Sequence, residues 1–114
     1  MTPLANRIYK QLVSHVRRKK ASITYGELAA AVDVHHRSRK LHAALGEVTN
    51  ACRHSQLPAL PAIVWRADAK QPSDGYFKVA HPRAHTDEAR VAAWEREHAR
   101  VLGAIEQFPT KLGE

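Results

Sequence analysis

Eight histidines in 114 residues are the first side chains whose spacing could support chemistry. His81 and His85 bracket the segment "HPRAH". Two histidines four apart share a metal when they lie on one helix face, but Pro82 and the loop context spoil that geometry. There is no cysteine pair and no His-Glu-x-x-His motif to argue for zinc. His35 and His36 read as turn residues beside Arg37 and Arg39. A metal-independent ribonuclease or toxin domain would need such a general base next to a cation, and His42 could be given the same part. Nothing in the spacing asks for it. The reading is therefore no catalytic residue, no metal and no cofactor. The single cysteine, Cys52, sits on an apolar helical stripe and reads as a small buried hydrophobe in a reducing compartment.

What stands out instead is charge. The chain carries a net +7, and the excess is uneven. From residue 1 to 54 there are ten Lys/Arg against three Asp/Glu, whereas from 86 to 114 there are four against six. Basic surfaces attract polyanions through counterion release and long-range steering, which makes nucleic acid the leading partner. Hydrophobic content of 44% and charged content of 25% are ordinary for a globular domain. No apolar run is long enough to span a membrane and the first residues lack the apolar core of a secretory signal, so the expectation is a cytoplasmic protein with no membrane partner.

The elements that must position the cations follow from periodicity. Thr2-Pro3 reads as an N-cap and first turn, and Leu4, Ile8, Leu12, Val13 and Val16 recur at helical spacing up to "RRKK". Ser22-Ile23 reads as a short strand. "TYGE" then places Thr24 and Glu27 as a capping box, opening a helix from about Tyr25 to Val32. "DVHHRS" is a turn, and a third helix runs from about Arg37 to Arg53 with Leu41, Leu45, Val48 and Cys52 inside. Gly46 in its middle suggests close packing or a bend. Pro58 and Pro61 end it. "AIVWR" (62–66) and "YFKV" (76–79) read as two strands of a hairpin around the loop "ADAKQPSDG". Thr86 caps a last helix whose apolar stripe runs from Val91 through Trp94, His98, Leu102 and Ile105 to Phe108.

Three helices followed by a hairpin is the winged helix–turn–helix plan. The expected fold is thus α+β, mainly α, with a winged module over 1–85. A C-terminal amphipathic helix over 86–110 would pack on that module or at a dimer seam. A homodimer through the 86–108 helix is the partner expectation that follows.

"ITYGELAAAV" followed by "HRSRKLHAAL" resembles the helix–turn–helix of the alkylguanine-DNA alkyltransferases and their non-catalytic alkyltransferase-like relatives. The resemblance implies that Arg39 enters the minor groove and fills the space of an extruded base. It also implies that Tyr25 contacts the DNA backbone. The family's reactive Pro-Cys-His-Arg segment matches Pro61-Ala62-Ile63-Val64 here, so the nucleophile is missing. Lys40 and His42 also stand where the family prefers small residues.

The expectation from sequence is a non-catalytic, double-stranded DNA-binding protein. Arg37, Arg39, Lys40, His42 and Ala43 are its groove candidates, and Lys19, Lys20, Tyr25, Arg66, Lys70 and Lys78 are its backbone contacts. The alternatives are an interaction module, such as a phage or plasmid accessory protein, whose basic face meets an acidic protein, and a small metal-independent nuclease or toxin domain.

Overall fold

The computed structural model describes residues 1–112. Helix α1 (Pro3–Arg17) starts as its sequence dictates, with the Thr2 hydroxyl accepting from Ala5 N and proline in the first turn. Ile8, Tyr9, Leu12, Val13 and Val16 form one buried face, which packs on α3 (Arg39–His54). From α3 come Leu41, Ala44, Leu45, Val48 and Cys52. Leu41 and Val48 are wholly excluded from solvent, and burying a side chain of this size contributes about 1.5–3 kcal/mol. Cations gather at the end of α1, where Lys19 takes a left-handed φ of 65°. The chain turns there into strand β1 (Ile23–Thr24) and helix α2 (Tyr25–Ala31).

The capping box at α2 is complete. Glu27 N donates to Thr24 Oγ1 at 3.1 Å, and Thr24 N donates to Glu27 Oε1 at 3.0 Å. Helix α3 is capped by Ser38, whose hydroxyl accepts from Lys40 N at 3.2 Å. It therefore begins at Arg39, two residues later than the periodicity suggests, and Arg37 belongs to the turn.

After α3 the structure departs from expectation. Residues Leu60–Ile63 form a 3-10 turn, leaving only Val64–Trp65 as strand β2. β2 pairs in parallel with β1, with Ile23 opposite Val64. The "YFKV" segment is helical: it lies in α4 (Asp74–Ala80). Tyr76, Phe77 and Ala80 are the buried residues, an i, i+1, i+4 pattern that only a helix turns to one side. Asp74 favours the first turn, and its carboxylate accepts from Lys78 Nζ at 3.0 Å. The expected hairpin is therefore absent among the described residues. In its place, loop 66–73 leads into α4, which lies against α3. At Gly46 an added Cβ would stand 3.7 Å from Val79 Cγ2, the close packing expected of that glycine.

The last helix, α5 (Asp87–Gly103), ends well before residue 110 and gives way to a 3-10 turn at Ile105–Gln107. It packs on the Leu60–Ile63 turn. Trp94 Nε1 donates to the Ala62 carbonyl at 2.8 Å, and buried Glu97 accepts from Ala59 N at 2.6 Å. Further on, Phe108 is buried as expected.

Cys52 is fully enclosed. Burial pushes its thiol up to about 11, with Glu97 adding to the rise and a hydrogen bond to Leu60 opposing it. The native protein is expected to react with a thiol reagent near pH 8 about 100-fold more slowly than the unfolded chain. Equal rates in buffer and in denaturant would refute the enclosure.

Candidate nucleic-acid interface

The start of α2, the 33–38 turn and the start of α3 converge with loop 66–73 around one open cleft of about 710 Å³. Tyr25, Arg37, His42 and Arg66 all line it, so four of the side chains singled out from sequence meet in one place. Thr24, His36, Asp68 and Ser73 join them. Arg39, Lys40 and Ala43 are exposed on the first turns of α3. No side-chain hydrogen bond or ion pair holds Arg39 or Lys40 among the described residues, leaving both charges available.

Tyr25 stands apart from the other candidates. Its hydroxyl donates to Ser73 Oγ at 3.0 Å and accepts from Ser73 N at 2.9 Å. The ring is buried and lies 5.4 Å from that of His42. Burial raises the phenol above its usual range against the opposing hydrogen bonds from Ser73 and the nearby Arg66 charge. Tyr25 thus ties the start of α2 to the residue preceding α4, with its oxygen already engaged on both sides.

Of the remaining candidate cations, Arg66 lines this cleft, and Lys19, Lys20, Lys70 and Lys78 do not. Arg66 on the rim pairs with Asp68 at 2.8 Å, both side chains half or more exposed. Such a surface pair is worth little and yields readily to a phosphate. Lys70 lies exposed in the same loop, closed by a bond from Lys70 N to the Arg66 carbonyl at 2.8 Å. Lys78 sits on α4 rather than on a wing, and its ammonium makes an exposed surface pair with Asp74 at 3.0 Å. Lys19 and Lys20 are exposed past the end of α1. The Glu27 carboxyl is held below its usual range mainly by its Thr24 hydrogen bonds, with a smaller contribution from the Lys20 charge nearby.

In comparisons with family models, curated proteins and solved structures, nothing matches this chain. The site must be read from its own chemistry. Among the described residues no three His, Cys, Asp or Glu side chains gather as metal ligands would, and no helix is long and apolar enough to cross a membrane. The His35 and His36 rings stack 4.5 Å apart in the turn, and His35 Nδ1 accepts from Arg37 N at 3.1 Å. That bond gives His35 a turn-closing part.

Sequence reasoning missed Ser73 and Asp68. Asp68 is two residues from Arg66 in sequence and was legible as a partner. Ser73 carried no local signal, because its importance comes from Tyr25, which is distant in the chain.

A pH dependence arises at the far end of α4. His81 Nε2 lies 2.9 Å from the Tyr76 hydroxyl. Burial holds its imidazole below the usual histidine range; Glu97 pulls the other way, and Arg53 and Arg96 depress it further. The folded state therefore keeps this ring neutral while the unfolded chain binds a proton near the ordinary value of 6.5. Its stabilising share is present above about pH 6.5 and lost as the pH falls below it. His81→Gln is expected to flatten the stability profile between about pH 7 and 5 in chemical denaturation. An unchanged profile would remove His81 as the cause.

Proposed function

We propose that this protein is a non-catalytic, double-stranded DNA-binding protein that grips the duplex with the first turns of α3. The observation carrying this reading is the unpaired Arg39–Lys40 pair at the exposed start of the second helix of a capped helix–turn–helix. Arg37, His42 and Arg66 flank it around a single cleft. Cations at a helix start reach groove edges, while those on surrounding loops meet phosphates. Lys70, Lys19 and Lys20 suit the phosphate part. Loop 66–73 contributes Arg66, Ala67, Asp68 and Ser73 to the cleft beside the start of α3.

The resemblance to the alkyltransferase-like proteins favours minor-groove entry by Arg39. The segment matching that family's reactive strand, Pro61-Ala62-Ile63-Val64, is buried and has no nucleophile. That supports a grip without alkyl transfer.

The test is an anisotropy titration of random duplex, single-stranded DNA and RNA across a salt series. The expected result is preference for duplex with a steep fall in affinity as salt rises. No binding at low salt to any of the three would sink the reading. RNA preference accompanied by strand cleavage would replace it with the nuclease alternative.

A further inference from the structure

A second cationic cleft lies at the other end of α4, and the helix–turn–helix contact leaves it unused. Its volume is about 470 Å³. Three guanidiniums line it from three different elements: Arg53 at the end of α3, Arg83 in the turn after α4, and Arg96 on α5. No carboxylate lines it. Small side chains, Ala89 and Ala93, form part of its wall, with His81 and Pro82 beside them.

The three arginines are in different situations. Arg53 donates to the Val79 carbonyl at 3.3 Å and to that of Ala80, closing the exposed end of α4. Those bonds fix its guanidinium in place without neutralising it. Arg83 and Arg96 are exposed and have no side-chain hydrogen bond or ion pair among the described residues. Like charges gathered around one concavity repel each other, and an anion relieves that repulsion. Guanidinium groups suit phosphate because their planar forks donate two parallel hydrogen bonds.

The position of the cleft says which phosphate. Arg53 follows Arg39 by fourteen residues in one continuous helix, a separation of about 21 Å along an ideal helix axis and about 40° around it. The two side chains therefore leave α3 from nearly the same side. With α3 lying along the duplex, about 21 Å at 3.4 Å per base pair corresponds to roughly six steps.

The geometry points to a second phosphate-binding site, formed by Arg53, Arg83 and Arg96, that holds the backbone of the same duplex about six base pairs from Arg39. This assignment rests on the duplex-binding reading above. An open cleft with cations on three elements fits a chain of phosphates better than one enclosed anion.

The experiment compares the parent protein with Arg83→Ala/Arg96→Ala on a duplex of about 20 base pairs and on a hairpin stem of about six. Both replaced side chains are exposed and unpaired, and circular dichroism checks that the variant is folded. On the long duplex the double variant is expected to bind about tenfold more weakly near 0.1 M salt, with the salt slope reduced by about two. On the short stem the two proteins are expected to agree within about twofold. An unchanged slope on the long duplex overturns the second site while leaving the duplex reading intact. Equal losses on both lengths also overturn it, since the arginines would then belong to the first contact. If the parent binds neither DNA, the duplex reading and this site fall together. If Arg39→Ala binds normally while the double variant does not, the arginine cleft is the principal contact and the α3 reading falls alone.

Discussion

Replacing Glu97 by alanine is expected to lower the unfolding free energy by about 2–3 kcal/mol, an effect on the order of 10 °C in Tm for a domain of this size. Glu97 projects from α5 into the interior, where its carboxylate accepts from Ala59 N at 2.6 Å. Ala59 is completely buried, so its N–H has no water to turn to when the carboxylate is removed. Leaving such a donor unpaired costs the full penalty of stripping it from solvent, which exceeds the net worth of the bond. Arg100 at 3.3 Å reaches the other oxygen from the surface, but its side chain is 70% exposed and contributes little. Glu97→Gln keeps an acceptor and is expected to cost clearly less than alanine. The neighbouring exposed Glu95→Ala is the control, measured by the same urea titration. If Glu97→Ala and Glu95→Ala have equal midpoints, the Ala59 contact does not support the fold.

Duplex affinity is expected to fall by about tenfold or more in Arg39→Ala, the loss of one good groove contact. Lys70→Ala, which removes a loop cation, is expected to have a smaller effect and to reduce the salt slope by about one. The difference follows from position. Arg39 stands on the first turn of a helix anchored by the Ser38 cap and by buried Leu41, so its side chain starts from a rigid base. Lys70 sits in an exposed loop and meets a phosphate with a flexible stem. Anisotropy titrations at three salt concentrations separate the two. A Lys70 variant that loses as much affinity as the Arg39 variant would place the grip on the loop and not on the helix.

The parts of the fold that were legible in the sequence are those decided locally. Thr2, Thr24 with Glu27, and Thr86 announce helix starts because a side-chain oxygen and a backbone N–H three residues on satisfy each other. The α1 and α3 stripes were legible for the same reason, since 3.6-residue periodicity needs no knowledge of the partner. Helix α4 was not legible. Tyr76, Phe77 and Val79 favour strands by type, and Asp74-Gly75 ends a turn-rich loop before them. What decides the matter is non-local: α3 offers a surface at Gly46 for Val79, and Arg90 reaches Asp74 at 2.7 Å from α5. Likewise β2 pairs with β1, a strand far away in sequence, and no turn chemistry encodes a parallel pairing.

For the candidate site, residue types could nominate Arg37, Arg39, His42 and Arg66, because charge and helix position are sequence properties. They could not show that Lys78 is already paired, that Tyr25 is engaged by Ser73, or that Arg53, Arg83 and Arg96 line one cleft. Each of those facts depends on which distant side chain arrives alongside.

Helix α4 is fastened at both ends: Ser73, just before it, is held by the Tyr25 hydroxyl, and the Val79 and Ala80 carbonyls at its close are held by Arg53. Tyr25 belongs to α2 and Arg53 to α3, so the clamp unites the helix–turn–helix and α4 into one block. A ligand meeting this block finds its contact groups already spaced, and little conformational entropy is left to lose on association. Loosening either fastening, as in Tyr25→Phe, would therefore weaken binding through the unbound state, by letting the free protein explore arrangements that the ligand must then undo.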